Sequence, residues 1–235
     1  MKLNDAKAFI GHQVHVCRYR EAGTLLSWMG DDLRGKRVLD VAGGDGYWAG
    51  QAAKRGAEAV SIDLARGKML YGRTLAHAPA LIECDALALP FADAGFDAVL
   101  SVCAIEHFDD GGKSLDEMSR VLKPGGEILM SADVLSRADE WPKLRDAHKA
   151  KYFVKHTYTH ESLGELVGAR GLDLVDYSYQ FRGRAAERLY LSLSTYGGRV
   201  GFNAAAPLTP LVALADRRAA NDRGSIVLIR ARKRF

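Results

Sequence analysis

From about residue 36 onward, short apolar runs alternate with longer stretches in which apolar positions recur every three to four residues. The first pattern suits buried strands, the second helices with one face on a core. Residues 38–41, Val-Leu-Asp-Val, are apolar but for Asp40 and read as a central strand. Further strands are expected over 59–63, 80–84, 96–103, 127–132, 172–179 and 224–231. Helices are expected over 47–55, 66–76, 112–122, 136–151, 184–196 and 208–220. Another runs from a Thr159 cap to about residue 169, where Gly171 stops it. Lys123-Pro124-Gly125-Gly126 ends the helix before it and supplies the turn into the fifth strand. This alternation predicts an α/β fold, a parallel sheet with helices on both faces.

Two segments fall outside the alternation. Residues 1–35 read as one or two helices capping the fold, and 181–221 as a helical insert or lid. Both are placed to cover a site rather than build the sheet, whose core is 36–180 with 222–235. The whole is expected to be one domain.

Composition narrows this little. A hydrophobic share of 48% and a charged share of 26% are those of a soluble globular chain. The net charge of +4 permits an anionic partner without arguing for one. Much of the excess sits in Arg230-Ala231-Arg232-Lys233-Arg234-Phe235, read as a solvated end. Cys17, Cys84 and Cys103 make no C-x-x-C pair, so neither a zinc site nor a disulfide framework is expected. Free thiols suit a reducing cytosol. The first twenty residues are charged and polar throughout, unlike a signal peptide, and no apolar run would span a bilayer. A cytoplasmic location is expected.

The chemistry begins at Val38-Leu-Asp-Val-Ala-Gly-Gly-Asp-Gly-Tyr-Trp-Ala49, a strand, a glycine turn and a helix start. Such a turn lets a ligand approach bare backbone. Gly44 to Ala49 is also G-x-G-x-x-A, the dinucleotide fingerprint. Asp63, ending the second strand, can accept hydrogen bonds from two ribose hydroxyls. These two features leave a nicotinamide dinucleotide and S-adenosylmethionine both open.

Later strands add Asp85-Ala-Leu-Ala-Leu-Pro-Phe91, Phe96-Asp-Ala-Val99 and Leu122-Lys-Pro-Gly-Gly126. The ordered set, D-x-x-x-G-x-G, an acid after the second strand, D-A-x-x-L-P-F, F-D-x-V and L-K-P-G-G, resembles the class I S-adenosylmethionine-dependent methyltransferases over residues 36–132. Within them, D-V-A-G-G-x-G resembles the ubiquinone/menaquinone-biosynthesis group. Cys103-Ala-Ile-Glu-His107 departs from the quinone enzymes and looks like the E-H of many small-molecule methyltransferases. The resemblance implies a Rossmann-like sheet, mostly parallel with an antiparallel last strand. It implies that Asp40, Ala42, Gly43, Gly44 and Gly46 surround the methionine part of the donor. Asp63 would bind ribose and Leu64 pack on adenine. Asp85 and Ala86 would meet the adenine edge, and Ser101 to Ala104, Cys103 included, would pass beneath the sulfonium. Ala42 is compatible with this if its backbone keeps a negative φ.

The sulfonium carries its own leaving group, so in-line displacement needs no metal in principle, and positioning does much of the work. An oxygen or carbon acceptor also benefits from a base, and histidine suits the role. His107, just past the fourth strand, is the first candidate. His15 and His156 are further candidates. His12, His15 and Tyr19 share a helical face by spacing. Tyr152 and Tyr158, with His156, form a polar-aromatic cluster after the fifth strand. His12, Tyr19, Tyr152 and Tyr158 are the candidate acceptor contacts. Arg18 or Arg20 can pair with a carboxylate of the donor.

The expected function is methyl transfer to a small acceptor, an oxygen on an apolar or aromatic metabolite, with carbon or nitrogen on a small molecule, quinone or lipid as alternatives. A homodimer is compatible with the sequence. Nucleic acid is not expected as a partner, since no RNA-binding module is appended, although the basic end and the arginines of 182–188 favour an RNA methyltransferase as a rival. A donor-binding protein without transferase activity is the other rival.

Overall fold

The structure, a computed structural model, describes residues 16–73 and 79–235. Among the described residues seven strands form one sheet: β1 (Arg37–Val41), β2 (Glu58–Asp63), β3 (Ala80–Glu83), β4 (Phe96–Val102), β5 (Leu122–Asp133), β6 (Leu172–Gln180) and β7 (Ile226–Lys233). Their order is β3-β2-β1-β4-β5-β7-β6. The first five pair in parallel, and β7 runs antiparallel between β5 and β6. The helices are α1 (Val16–Met29), α2 (Tyr47–Ala53), α3 (Arg66–Gly72), α4 (Gly111–Val121), α5 (Pro142–Tyr152), α6 (His160–Gly168), α7 (Arg184–Ser192), α8 (Gly198–Ala204) and α9 (Thr209–Arg218).

Strand residues alternate between two buried layers, which is why the strand runs are continuously apolar. Leu39, Val99, Ile128 and Val227 face one layer with Leu115 and Met118 of α4 and Leu163 of α6. Val38, Leu100, Leu129 and Leu228 face the other with Leu25 of α1, Trp48 of α2 and Tyr190 of α7. Each such side chain contributes about 1.5–3 kcal/mol on burial. The N-terminal helix and the 181–221 segment thus cover the same face of the sheet.

Boundaries shift where local chemistry intervenes. The helix expected over 136–151 starts at Pro142. Proline disfavours a helical residue before it, and Trp141 takes a non-helical backbone at φ −134° and ψ 65°, leaving only a 3-10 turn at Ala138–Glu140. The helix expected to reach 196 stops at Ser192 and passes into a π-helical turn, Leu193–Gly197. A further helix, α8, follows over Gly198–Ala204, between the two helices expected in this segment. Strand β5 begins at Leu122 rather than 127: Leu122 pairs with Phe96 and Glu127 with Ala98, so the Lys-Pro-Gly-Gly segment bulges out of the ladder. The Thr159 cap forms as expected, accepting from the Ser162 amide.

Candidate functional site

Neighbouring strands β1 and β4 lead the chain to opposite sides of the sheet, which opens a crevice beyond their carboxyl ends. A cavity of about 920 Å³ lies there. It is lined by the loop from Ala42 to Asp45 and the turn from Val102 to Ala104. Asp63, Lys68 and Tyr71 form one wall, and His107 and Phe108 another. Arg18, Tyr152 and Gly198 reach it from the helices above.

The glycine loop is shaped by what lies beneath it. The Gly43 amide donates to the Ile62 carbonyl at 3.0 Å. A Cβ at residue 43 would stand 2.2 Å from both Asp40 Oδ2 and Ser61 Oγ. Asp63 holds the next residue: its Oδ2 accepts from the Gly44 amide at 2.8 Å and its Oδ1 from the Ala65 amide at 2.7 Å. Gly44 and Gly46 take φ of 62° and 75°. So does Ala42, at φ 57°, correcting the expectation of a negative φ there. The loop needs the left-handed turn whichever residue occupies it, and alanine bears the cost.

Asp40 is buried under the loop rather than facing the cavity, a second correction. Its Oδ2 accepts from the Ala49 amide at 3.3 Å and the Ser61 hydroxyl at 3.4 Å, while Oδ1 has no hydrogen-bond partner. Burial pushes its pKa up to about 7. Ser101 is likewise internal: its hydroxyl donates to the Val41 carbonyl at 3.3 Å and ties β4 to β1.

At the end of β4, Cys103 sits in the left-handed region, φ 53°, on the cavity wall. Behind it lies a buried polar cluster. The Cys103 thiol is 2.7 Å from Glu106 Oε1, which also accepts from the Asp133 amide at 3.3 Å. Asp133 pairs with His148 at 3.0 Å and accepts from the Tyr190 hydroxyl at 3.2 Å. Burial, reinforced by the Asp133 charge, pushes Glu106 up to about 8. Burial works the same way on Asp133, but the His148 hydrogen bond and charge outweigh it and hold that carboxyl below its usual range. Arg18 grips the buried Glu21 with two hydrogen bonds of 2.7 and 2.9 Å, and Ser131 donates to the same carboxylate.

His107 forms part of the wall, with its Nδ1 3.5 Å from the Phe153 carbonyl. Desolvation lowers its pKa, which favours the neutral ring a base requires.

Other expected site residues scatter. Leu64 is 68% exposed at the end of β2. Asp85 is exposed and accepts from the Leu87 amide, and Ala86 is buried. None of these three lines the cavity. Tyr152 does, its hydroxyl donating to the Ser194 carbonyl at 2.7 Å. Tyr19 stands behind the wall residue Trp48, ring centroids 5.4 Å apart, and hydrogen-bonds Tyr47. His156 and Tyr158 line a different groove, of about 590 Å³, with Lys149 and Lys155, so they do not join the glycine loop. The left-handed Phe153 ends α5, and the chain after it is held to the Glu106 and Asp133 carbonyls. His12 and His15 lie outside the described residues. Sequence reasoning missed Lys68 and Tyr71, whose three-residue spacing on α3 was the available signal, and also Phe108, Lys151 and Gly198.

The basic end is not a free patch. Arg230 and Arg232 both bind Glu127, Lys233 donates to the Ser119 and Leu122 carbonyls, and Arg234 pairs with Asp173. Among the described residues no helix is long and apolar enough to cross a membrane.

The sheet order, the antiparallel β7 and the glycine loop facing Asp63 define a class I methyltransferase fold. Residues 39–130 match the family described as a methyltransferase domain, Methyltransf_11. A demethylmenaquinone methyltransferase of Thermus thermophilus is 43% identical over 101 residues, 40% of this chain and 46% of that one. A malonyl-[acyl-carrier protein] O-methyltransferase of Serratia marcescens is 27% identical over 183 residues, 73% of this chain and 72% of that one. The chain therefore spans less than half the length of the Thermus enzyme. Among solved structures, an S-adenosylmethionine-dependent methyltransferase from Mesorhizobium loti superposes with a TM-score of 0.63 at 18% identity, covering 90% of this chain and 96% of that one.

Proposed function

We propose that this protein transfers a methyl group from S-adenosylmethionine to an oxygen of a small, apolar or aromatic acceptor. The cavity fits the donor on its own geometry. The Gly43 backbone lies where a side chain would collide with Asp40, and a carboxylate, Asp63, stands at the rim. Asp63 and the backbone from Ala42 to Gly46 would hold the donor, with Leu64, Asp85 and Ala86 toward its adenine. When bound, its sulfonium supplies a methyl group already joined to a leaving group. Arg18, fixed by Glu21, would neutralise a carboxylate. Trp48, Phe108 and Tyr152 exclude water from the acceptor side.

The observation that carries the reading is His107 on the cavity wall. Its Nδ1 donates toward the Phe153 carbonyl, which leaves Nε2 as the proton acceptor. Incubation with donor labelled in the methyl group and a metabolite extract tests it. We expect label in one small component as an alkali-stable methyl ether or a hydrolysable ester. His107→Gln should lower kcat by about 10²–10⁴-fold and leave S-adenosylhomocysteine binding within about twofold. Label on carbon would redirect the reading to carbon methylation of a small molecule. Equal rates for His107→Gln would remove the base, and no labelled component would remove the transferase.

A further inference from the structure

We propose that Cys103, Glu106 and Asp133 bind a zinc-like divalent cation at the inner wall of the cavity. Cys103 and Glu106 stand three residues apart in the turn after β4, and Asp133 is the last residue of the neighbouring strand β5. One ligating atom from each lies within 4.8 Å of the others, and all three residues are buried. Cys103 Sγ stands 2.7 Å from Glu106 Oε1 and 3.9 Å from Asp133 Oδ1.

A hydrogen-bonded core does not account for the cluster. Glu106 is fully buried, yet its Oε2 has no hydrogen-bond partner. Buried carboxylate oxygens are seldom left so. The nearest guanidinium, that of Arg18, is engaged on both oxygens of Glu21 while also standing near the Cys103 thiol. The outer contacts resemble the support of a metal site, where ligating carboxylates are themselves hydrogen-bonded. Asp133 Oδ2 meets His148 Nε2 at 3.0 Å, Asp133 Oδ1 meets Tyr190, and the Cys103 amide donates to Ser131 Oγ at 3.0 Å. His148 is in turn fixed by Ser194 at 2.9 Å.

The donor set selects the ion. A thiolate with two carboxylates suits zinc or cobalt and disfavours magnesium and calcium. Three protein ligands leave a position for water or a substrate atom. Cys103 itself lines the cavity, which gives the ion an entry path, and His107 Nε2 lies 4.0 Å from Glu106 Oε1 on that side. No C-x-x-C spacing announces such a site, because sheet topology rather than sequence distance brings Asp133 to the other two.

The proposal does not rest on methyl transfer, since its test uses neither donor nor acceptor. The chelator-treated full chain is titrated with Co²⁺ without oxygen, then with competing Zn²⁺. We expect one ion per chain and a near-ultraviolet thiolate-to-cobalt band that Zn²⁺ abolishes. The band should be lost in Cys103→Ser and kept in the Cys17→Ser/Cys84→Ser double variant. Glu106→Gln, which retains the thiol, should weaken binding by more than about tenfold. Zn²⁺ should raise the Tm of the wild type and not of Glu106→Gln. Absence of the band, its survival in Cys103→Ser, its loss in the control pair, or unchanged affinity in Glu106→Gln would each overturn the site. If Cys103→Ser does not fold, the Glu106→Gln affinity and Tm decide.

Discussion

Asp40 supports Gly43 from below so closely that a methyl group at position 43 would stand 2.2 Å from its carboxylate. Neither residue can move far, because Asp40 is held by the Ala49 amide and Gly43 by the Ile62 carbonyl. The substitution Gly43→Ala is therefore expected to destabilise the chain by about 1–3 kcal/mol, the cost of overpacking a closed interior. It should also weaken S-adenosylhomocysteine by more than about tenfold, since the loop must lift into the cavity. Urea unfolding and calorimetric titration measure the two effects, and a fully stable, fully binding variant would show that the loop is not braced in this way.

The Asp40 carboxyl, pushed up to about 7 by burial, holds its proton more tightly in the folded chain than in the unfolded one. Between the unfolded value of about 3.9 and about 7, the folded state carries more protons, so stability from this group is lost as pH rises. Asp40→Asn removes the titration. Its stability relative to wild type should improve from about pH 5 to about pH 8, by up to roughly 1.4 kcal/mol per pH unit inside the window. Denaturant titrations of both proteins at the two pH values give the difference directly. A difference independent of pH would mean that Asp40 ionises freely.

Ala42 holds a left-handed backbone that glycine adopts without a steric cost. Relief of that cost, about 1–2 kcal/mol, is offset in part by the greater freedom of unfolded glycine. Ala42→Gly should stabilise the chain by about 0.5–1 kcal/mol, seen as a higher urea midpoint at unchanged slope. A loss of stability would place the side chain in a packing role that outweighs its backbone.

The strands were legible because both faces of the sheet are buried, and the five ordered motifs fixed the position of the glycine loop. What each motif residue touches was not legible. Asp40 interrupts one apolar run and Asp63 ends another, yet the first lies buried beneath the loop and the second lines the cavity, a difference that the motifs do not encode. The pairing of β4 with β5 brings Asp133 to Cys103 and Glu106, which precede it by 30 and 27 residues. The cluster's only sequence trace is a pair of acids in otherwise apolar runs. His156 and Tyr158 carried the right chemistry but line another groove: α5 ends at the left-handed Phe153, and the chain beyond is held to the Glu106 and Asp133 carbonyls. The basic end, expected to be merely solvated, is tied down by Glu127 and Asp173, which are distant in sequence.

The upper edge of the cavity is pinned by one contact set. Lys151 donates to the Ser194 and Thr195 carbonyls, both at 2.8 Å, and Tyr152 donates to Ser194 beside it. These bonds satisfy carbonyls of the π-helical turn that leads to Gly198 on the cavity wall. Lys151→Met keeps the apolar stem and removes the donors. A charged hydrogen bond contributes about 1.5–3 kcal/mol, enough to hold a short turn closed. The variant should be nicked faster by protease between residues 193 and 204 and should raise the KM for the acceptor by about three- to tenfold. Affinity for S-adenosylhomocysteine should change by less than about twofold, because neither the glycine loop nor Asp63 is bonded to this turn. An equal loss of both affinities would make the turn part of the donor site rather than a cover for the acceptor.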